Sequence, residues 1–162
     1  MEYRTTYPSP LGELTLASDG TSLTGLWIKG QKHFGGKSTQ WQTDDTLPVF
    51  AAAAAWLDAY WAEDEPNPTD LPLAPAGTIF QTEIWQYLLD IPYGQTVTYG
   101  ELAQMVGCGS PRAVGGAVGR NPISIIIPCH RVVGAAGQLT GYAGGVECKR
   151  FLLAHEELSR QE

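Results

Sequence analysis

Cysteine, histidine and arginine stand in a row at Cys129-His130-Arg131, behind Ile125-Ile126-Ile127-Pro128 and ahead of Val132-Val133. Cysteine attacks only as its thiolate, and basic neighbours such as His130 and Arg131 are of the kind that lowers a thiol's pKa. The β-branched run predicts a buried strand ending at Pro128, because proline removes a ladder donor and stiffens the backbone. On this reading Cys129 begins a fixed corner where a thiol is delivered to a pocket. A core cysteine after a strand would explain burial, but not Pro, His and Arg within the same few positions. A reactive thiol is the better reading.

The elements that must hold this corner are marked by their starts. Thr78-x-x-Gln81 and Thr98-x-x-Glu101 match the capping box, and Ser110-Pro111 offers an N-cap followed by proline at the first helical position. Phe80, Ile84 and Leu88 recur at helical spacing behind the first start. Tyr99, Leu102, Ala103 and Met105 make a short helix ending near Gly107, and a third helix runs from Pro111 to about Gly119. Two short helices around a glycine-containing turn outline a helix-turn-helix. A glycine-rich loop from Gly134 to Gly145 leads into a last helix through Phe151, Leu152 and His155. Upstream, Tyr3 to Tyr7, Leu11 to Ala17 and Leu23 to Ile28 alternate like an antiparallel meander. Thr46 is the expected N-cap of an alanine-rich helix from Phe50 to Trp61, with Trp56, Tyr60 and Trp61 as core anchors. The proline-rich run Asp64 to Pro75 reads as a linker, which divides the chain into residues 1–75 and 76–162 and gives an α+β class.

The 162 residues suffice for such an arrangement and carry a net charge of −7, of which −6 falls in the first 75 residues. That total speaks against nucleic acid, yet the second half is close to neutral and can still present a basic face. No leader and no long apolar run are expected, so the chain reads as a cytoplasmic protein without membrane contact. Three cysteines without framework or zinc spacing predict free thiols and no metal or other cofactor.

Pro128-Cys129-His130-Arg131-Val132, Arg112-Ala113-Val114-Gly115, Asn121-Pro122, Thr140-Gly141-Tyr142-Ala143-Gly144-Gly145 and Leu153-Ala154-His155-Glu156 together resemble the O6-alkylguanine-DNA alkyltransferases, of bacterial type. The likeness is dense in the second half and confined to general layout in the first, including Ser9 to Gly12. It implies a ribonuclease H-like first domain and a winged-helix-like second one. It implies direct-reversal DNA repair: one irreversible transfer of an alkyl group from O6-alkylguanine, with O4-alkylthymine as a second candidate lesion, to Cys129 of a single-turnover protein. His130 is then the base acting through a bound water, and Glu156 its orienter. Tyr99 faces the flipped base, Asn121 is the hinge before the cysteine segment, and Val132, Tyr142 and Ala143 line the pocket. Arg112 fills the gap left by the everted nucleotide, and Ala113, Gly115, Gly116 and Ala117 approach the minor groove of double-stranded DNA, with Arg120 as a further phosphate contact. The expected form is a monomer that can cluster on DNA.

Two departures stand out. No cysteine in the first half corresponds to the zinc site of the mammalian branch, and Ala143 replaces a serine donor found in some members. Chemistry alone leaves Glu156 and Glu157 open as orienter; the motif favours Glu156. Cys108 and Cys148 read as packing residues, and His33 and His155 as surface or packing residues. Two rival functions share the same residues: a hydrolytic or thiol-transfer Cys-His enzyme, and a non-catalytic lesion sensor or regulator.

Overall fold

A computed structural model describes residues 2–31, 41–139 and 142–160, the side chains of 158–160 excepted. The chain forms two compact units, one of residues 1–76 with Pro122–Ser124, the other of residues 77–121 and 125–162. The early part of the first unit follows the expected meander. β1 (Glu2–Ser9) and β2 (Gly12–Ser18) pair antiparallel from Tyr3 opposite Ser18 to Ser9 opposite Gly12, and β3 (Leu23–Ile28) pairs antiparallel with β2. Gly12, at φ 98°, closes the first turn in a conformation costly for any other residue, and Ser9 Oγ donates to its carbonyl at 2.7 Å.

β4 (Trp41–Thr43) departs from the meander: it lies parallel to β1, with Glu2 opposite Trp41, giving the order β3-β2-β1-β4. Three residues carry no readable alternation, so the sequence offered no sign of this edge. α1 (Pro48–Trp61) begins two residues before the expected Phe50, but not from the expected cap. Leu47 is its N-cap and makes no side-chain cap bond, while the hydroxyl and amide of Thr46 are both donated to Asp44 Oδ1, at 2.5 and 2.9 Å. The local Asx turn takes the group that would have capped the helix. Trp56 stacks on Tyr60 at 5.7 Å, Trp61 meets Tyr60 edge-on at 4.9 Å, and Tyr60 is wholly buried. The outer edge of β3 is covered twice. Leu23 exchanges bonds with Pro72 and Ala74 of the proline-rich run, and Leu26 with Pro122 and Ser124, which leaves fewer strand groups open to another chain.

In the second unit α2 (Ile79–Leu88) and α3 (Tyr99–Val106) each carry the complete capping box, from Thr78 with Gln81 and Thr98 with Glu101. Gly107, at φ 72°, ends α3 as a left-handed cap. Ser110 Oγ accepts from Ala113 N at 3.1 Å to start α4 (Pro111–Gly119). The buried face of α2 is Ile84, Trp85 and Leu88; Phe80, in the first turn, is 37% exposed instead of lying on it. β5 (Val97–Thr98) pairs parallel with β6 (Val132–Val133), and α5 (Val146–Arg160) closes the unit.

The isoleucine run is not a strand. Ile125 has φ 72°, Ser124 to Ile126 turn, and Cys129–Arg131 form one turn of 3-10 helix before β6. Residues 121–133 are nonetheless all buried. An apolar run records burial, and burial alone does not distinguish a strand from an irregular segment threaded through a core.

Candidate active site

The 3-10 turn places Cys129, His130 and Arg131 in the interior, at 6%, 0% and 6% exposure. α5 packs on this turn and buries Lys149, Leu152 and Glu156, which sit at i, i+3 and i+7 and therefore share one face. His130 Nε2 meets Glu156 Oε2 at 2.5 Å. Arg131 forks onto the same carboxylate, Nε donating to Oε1 at 2.8 Å and a terminal nitrogen to Oε2 at 3.2 Å, and Gly94 N donates to Oε1 at 3.0 Å. Four donors thus occupy the roughly four acceptor directions of a carboxylate. Burial pushes the Glu156 carboxyl upward, but the hydrogen bonds of His130 and Arg131 and the positive charge of Arg131 outweigh it and hold the group well below the usual carboxylate range. Burial holds His130 below its ordinary value, with Arg131 and Lys149 acting in the same direction against Glu156. The resting pair is a neutral imidazole hydrogen-bonded to an ionised carboxylate.

Because Nε2 is engaged by Glu156, Nδ1 is the nitrogen left to accept a proton. It is buried and has no hydrogen-bond partner among the described residues. Cys129 lies one residue before it. The expectation that His130 and Arg131 lower the thiol's pKa is not met: burial pushes Cys129 up to about 11, and Arg131 is committed to Glu156. The influences that favour the thiolate are a hydrogen bond from the Asn121 side chain, the charge of Lys149, and backbone amides. Asn121, itself 3% exposed, also donates Nδ2 to the Ile127 carbonyl at 2.8 Å, tying the thiol to the chain leading into it.

Lys149 is the residue the sequence reading missed. Its ammonium stands 5.8 Å from the ring centre of Tyr99, burial lowers its pKa, and the charge of Cys129 opposes that shift. A lysine three residues before Leu152 and seven before Glu156, in the apolar stripe of a helix, was the available signal. Tyr99 keeps its proton more firmly than a free tyrosine, first through burial and then through the charge of Cys129. Val132 is wholly buried in β6, Tyr142 is 8% exposed and Ala143 half-buried. Thr140 and Gly141 of the same motif, and His33, lie outside the described residues.

On α4, Arg112, Ala113 and Gly116 are exposed, Arg120 is exposed at the C-cap, and Gly115 faces Tyr99, where a Cβ would stand 3.6 Å from the ring. Ala117 does not belong with them. It is 4% exposed beside Val114 and Val118, and its carbonyl accepts from Trp85 Nε1 at 2.9 Å. The spacing of Val114, Ala117 and Val118 marks it as a packing residue. Cys108 and Cys148 are partly buried free thiols, and among the described residues no cluster of three or more His, Cys, Asp or Glu is placed to hold a metal ion.

Residues 2–75 match the ribonuclease-like domain of 6-O-methylguanine DNA methyltransferase, and residues 79–158 match its DNA binding domain. The chain belongs to the 6-O-methylguanine DNA methyltransferase family. It is 46% identical to the methylated-DNA–protein-cysteine methyltransferase of Haemophilus influenzae over 96% of this chain and 87% of that one. It is 48% identical to the Mycobacterium tuberculosis methyltransferase of the same name, over 97% of this chain and 93% of that one. The fold is similar to that of M. tuberculosis OGT in complex with DNA, at a TM-score of 0.87 and 46% identity over 97% and 94% of the two chains. It is also similar to the O6-methylguanine-DNA methyltransferase of Pyrococcus kodakaraensis, at 0.70 and 27% over 96% and 99%. As a member of this methyltransferase family the protein is a transferase. Among the described residues no helix is long and apolar enough to cross a membrane.

Proposed function

We propose that the protein repairs O6-alkylguanine in double-stranded DNA by moving the alkyl group, once and irreversibly, to Cys129. The observation that carries this reading is the buried relay in which Glu156 fixes His130 Nε2 and leaves Nδ1 to accept a proton beside a cysteine. The thiol proton passes to Nδ1 through a bound water. The sulfur lone pair forms the S–C bond as the C–O6 bond breaks, and the bonding pair stays on the guanine, which takes up one proton. Atoms balance as thiol and alkylguanine giving thioether and guanine. Tyr99, whose hydroxyl stays protonated, supplies a donor where negative charge develops on the leaving base. A thioether is a poor leaving group, so the acceptor is not regenerated.

A thiol 6% exposed cannot be reached by a base inside the stack, so the nucleotide must be rotated out, at about a few kcal/mol. α4 is suited to this. Gly116 and Gly119 have open space where a Cβ would stand, so nothing among the described residues requires glycine there. Gly116, in the helix interior, costs about 1 kcal/mol of helix stability relative to alanine. Close approach of an external backbone explains them, and the minor groove, read by the helix-turn-helix of α3 and α4, is the surface proposed. Arg112 occupies the vacated stack and Arg120 contacts phosphate. The protein acts as a monomer that can cluster on DNA, and O4-alkylthymine is a second lesion for the same transfer.

Turnover tests the reading. A duplex carrying one O6-methylguanine, supplied in molar excess, is expected to be repaired in an amount equal to the protein and no further. Continued repair past that equivalence would show a hydrolytic or recycling thiol, and no repair would show a sensor.

A further inference from the structure

The relay contains a third charged group that a cysteine, a histidine and a carboxylate do not by themselves require. Arg131 is 6% exposed and fully engaged: Nε and one terminal nitrogen grip Glu156, the other terminal nitrogen donates to the Ile91 carbonyl at 2.7 Å, and the guanidinium lies 5.6 Å from the ring centre of Tyr93. A buried cation this well fixed is a rigid jig. We propose that Arg131 is a positioning residue of the relay, holding the Glu156 carboxylate in the one orientation that presents Oε2 to His130 and sharing that carboxylate's negative charge with the imidazole. The proposal rests on Cys129 being the alkyl acceptor and His130 its base.

The physics follows from competition for one anion. A carboxylate facing His130 alone would favour the imidazolium, and an imidazolium cannot take the thiol proton. Arg131 already neutralises that carboxylate, and its own positive charge opposes protonation of the ring. The groups that bear on His130 are few. Glu156 and Lys149 come from α5 and Arg131 from its own turn, where the Cys129 thiol is the neighbouring residue. α2, which also packs on this turn, buries only Ile84, Trp85 and Leu88, and its acid Glu83 is exposed. Removing the arginine charge therefore raises the pH below which His130 is a spent base. Keeping the charge but removing the planar fork loosens the carboxylate without moving that pH.

The test uses two readouts on the full chain: transfer from an O6-methylguanine duplex, and modification of Cys129 by iodoacetamide, which needs no DNA. The second is followed on the Cys129 peptide by mass spectrometry from about pH 5 to about pH 9. In Arg131→Gln the acid limb of both rates is expected to move up by about one pH unit. In Arg131→Lys the limb should coincide with wild type while transfer slows about tenfold at every pH. A limb unmoved in Arg131→Gln, with only a lower melting temperature, would make Arg131 a structural residue and overturn the proposal. Should Arg131→Gln fail to fold, Arg131→Lys decides: a pH-independent loss supports the fork, and wild-type transfer refutes it. If wild type modifies with iodoacetamide but never accepts methyl from DNA, the repair reading fails while the limb shift still reports on the relay.

Discussion

Replacing Glu156 by glutamine changes one atom of a side chain that is 1% exposed and removes the anion on which His130 and Arg131 converge. The amide keeps one acceptor oxygen. Its NH2 must face either His130 or Arg131, donor against donor, and the guanidinium is left as a buried charge without its counterion. Breaking a buried pair in this way costs about 3–5 kcal/mol, a large share of the roughly 5–15 kcal/mol that stabilises a domain. At about 2–4 °C per kcal/mol for a chain of this size, Glu156→Gln melts roughly 6–20 °C below wild type. Its single-turnover transfer, measured below the melting transition, falls about a hundredfold or more because the base has lost its orienter. Glu157→Gln is the internal control. That side chain is exposed, so its change should stay within about 0.5 kcal/mol and leave transfer intact. Thermal melting and quench-flow transfer on the two variants decide the matter. Equal melting temperatures, or equal transfer rates, would refute the assignment of Glu156 to the relay.

Other perturbations follow from the same geometry. Cys129 is held protonated up to about pH 11 in the fold against 9.0 for its ordinary value, so the stability it contributes is present below pH 9 and lost as pH rises to 11. The loss amounts to about 3 kcal/mol. Denaturant titrations across that window should show it in wild type and not in Cys129→Ser; equal slopes would contradict the burial of the thiol. Methylated protein should lack the same alkaline loss yet melt below unmodified protein near neutral pH, since an added methyl overfills a packed site by about 1–3 kcal/mol; an unchanged melting temperature would speak against that packing. Lys149→Met removes the cation that favours the thiolate, so transfer near neutral pH should slow about tenfold and recover in alkali; a pH-independent change would place Lys149 outside the electrostatics of Cys129. Asn121→Ala strands the Ile127 carbonyl and removes a donor to the sulfur, costing about 1–3 kcal/mol by urea unfolding; a neutral substitution would show those bonds to be incidental.

Much of the second unit was legible because its signals are local. Thr78 with Gln81, Thr98 with Glu101, and Ser110 before Pro111 satisfy backbone donors a few residues away, so their meaning does not depend on tertiary structure. Cys129 beside His130 was equally plain, since adjacency in the chain ensures adjacency in space. What failed depended on competing partners or on backbone conformation. Arg131 looked like a cation for Cys129 until α5 brought Glu156 to it. The Ile125–Ile127 run gave its burial but not its turn, because a positive φ at Ile125 leaves no trace in composition. Thr46 looked like a cap until Asp44, two residues before it, took its hydroxyl. Ala117 and Lys149 were different, for both could have been placed by helical spacing: Ala117 with Val114 and Val118, Lys149 with Leu152 and Glu156.

The account stands or falls on the fate of one sulfur atom. After incubation with a duplex carrying a single O6-methylguanine, digestion and mass spectrometry should find the peptide containing Cys129 heavier by one CH2, with fragment ions placing the addition on that residue. The peptides containing Cys108 and Cys148 should be unchanged. Repaired DNA with an unmodified Cys129, or methyl on either of the other cysteines, would contradict it.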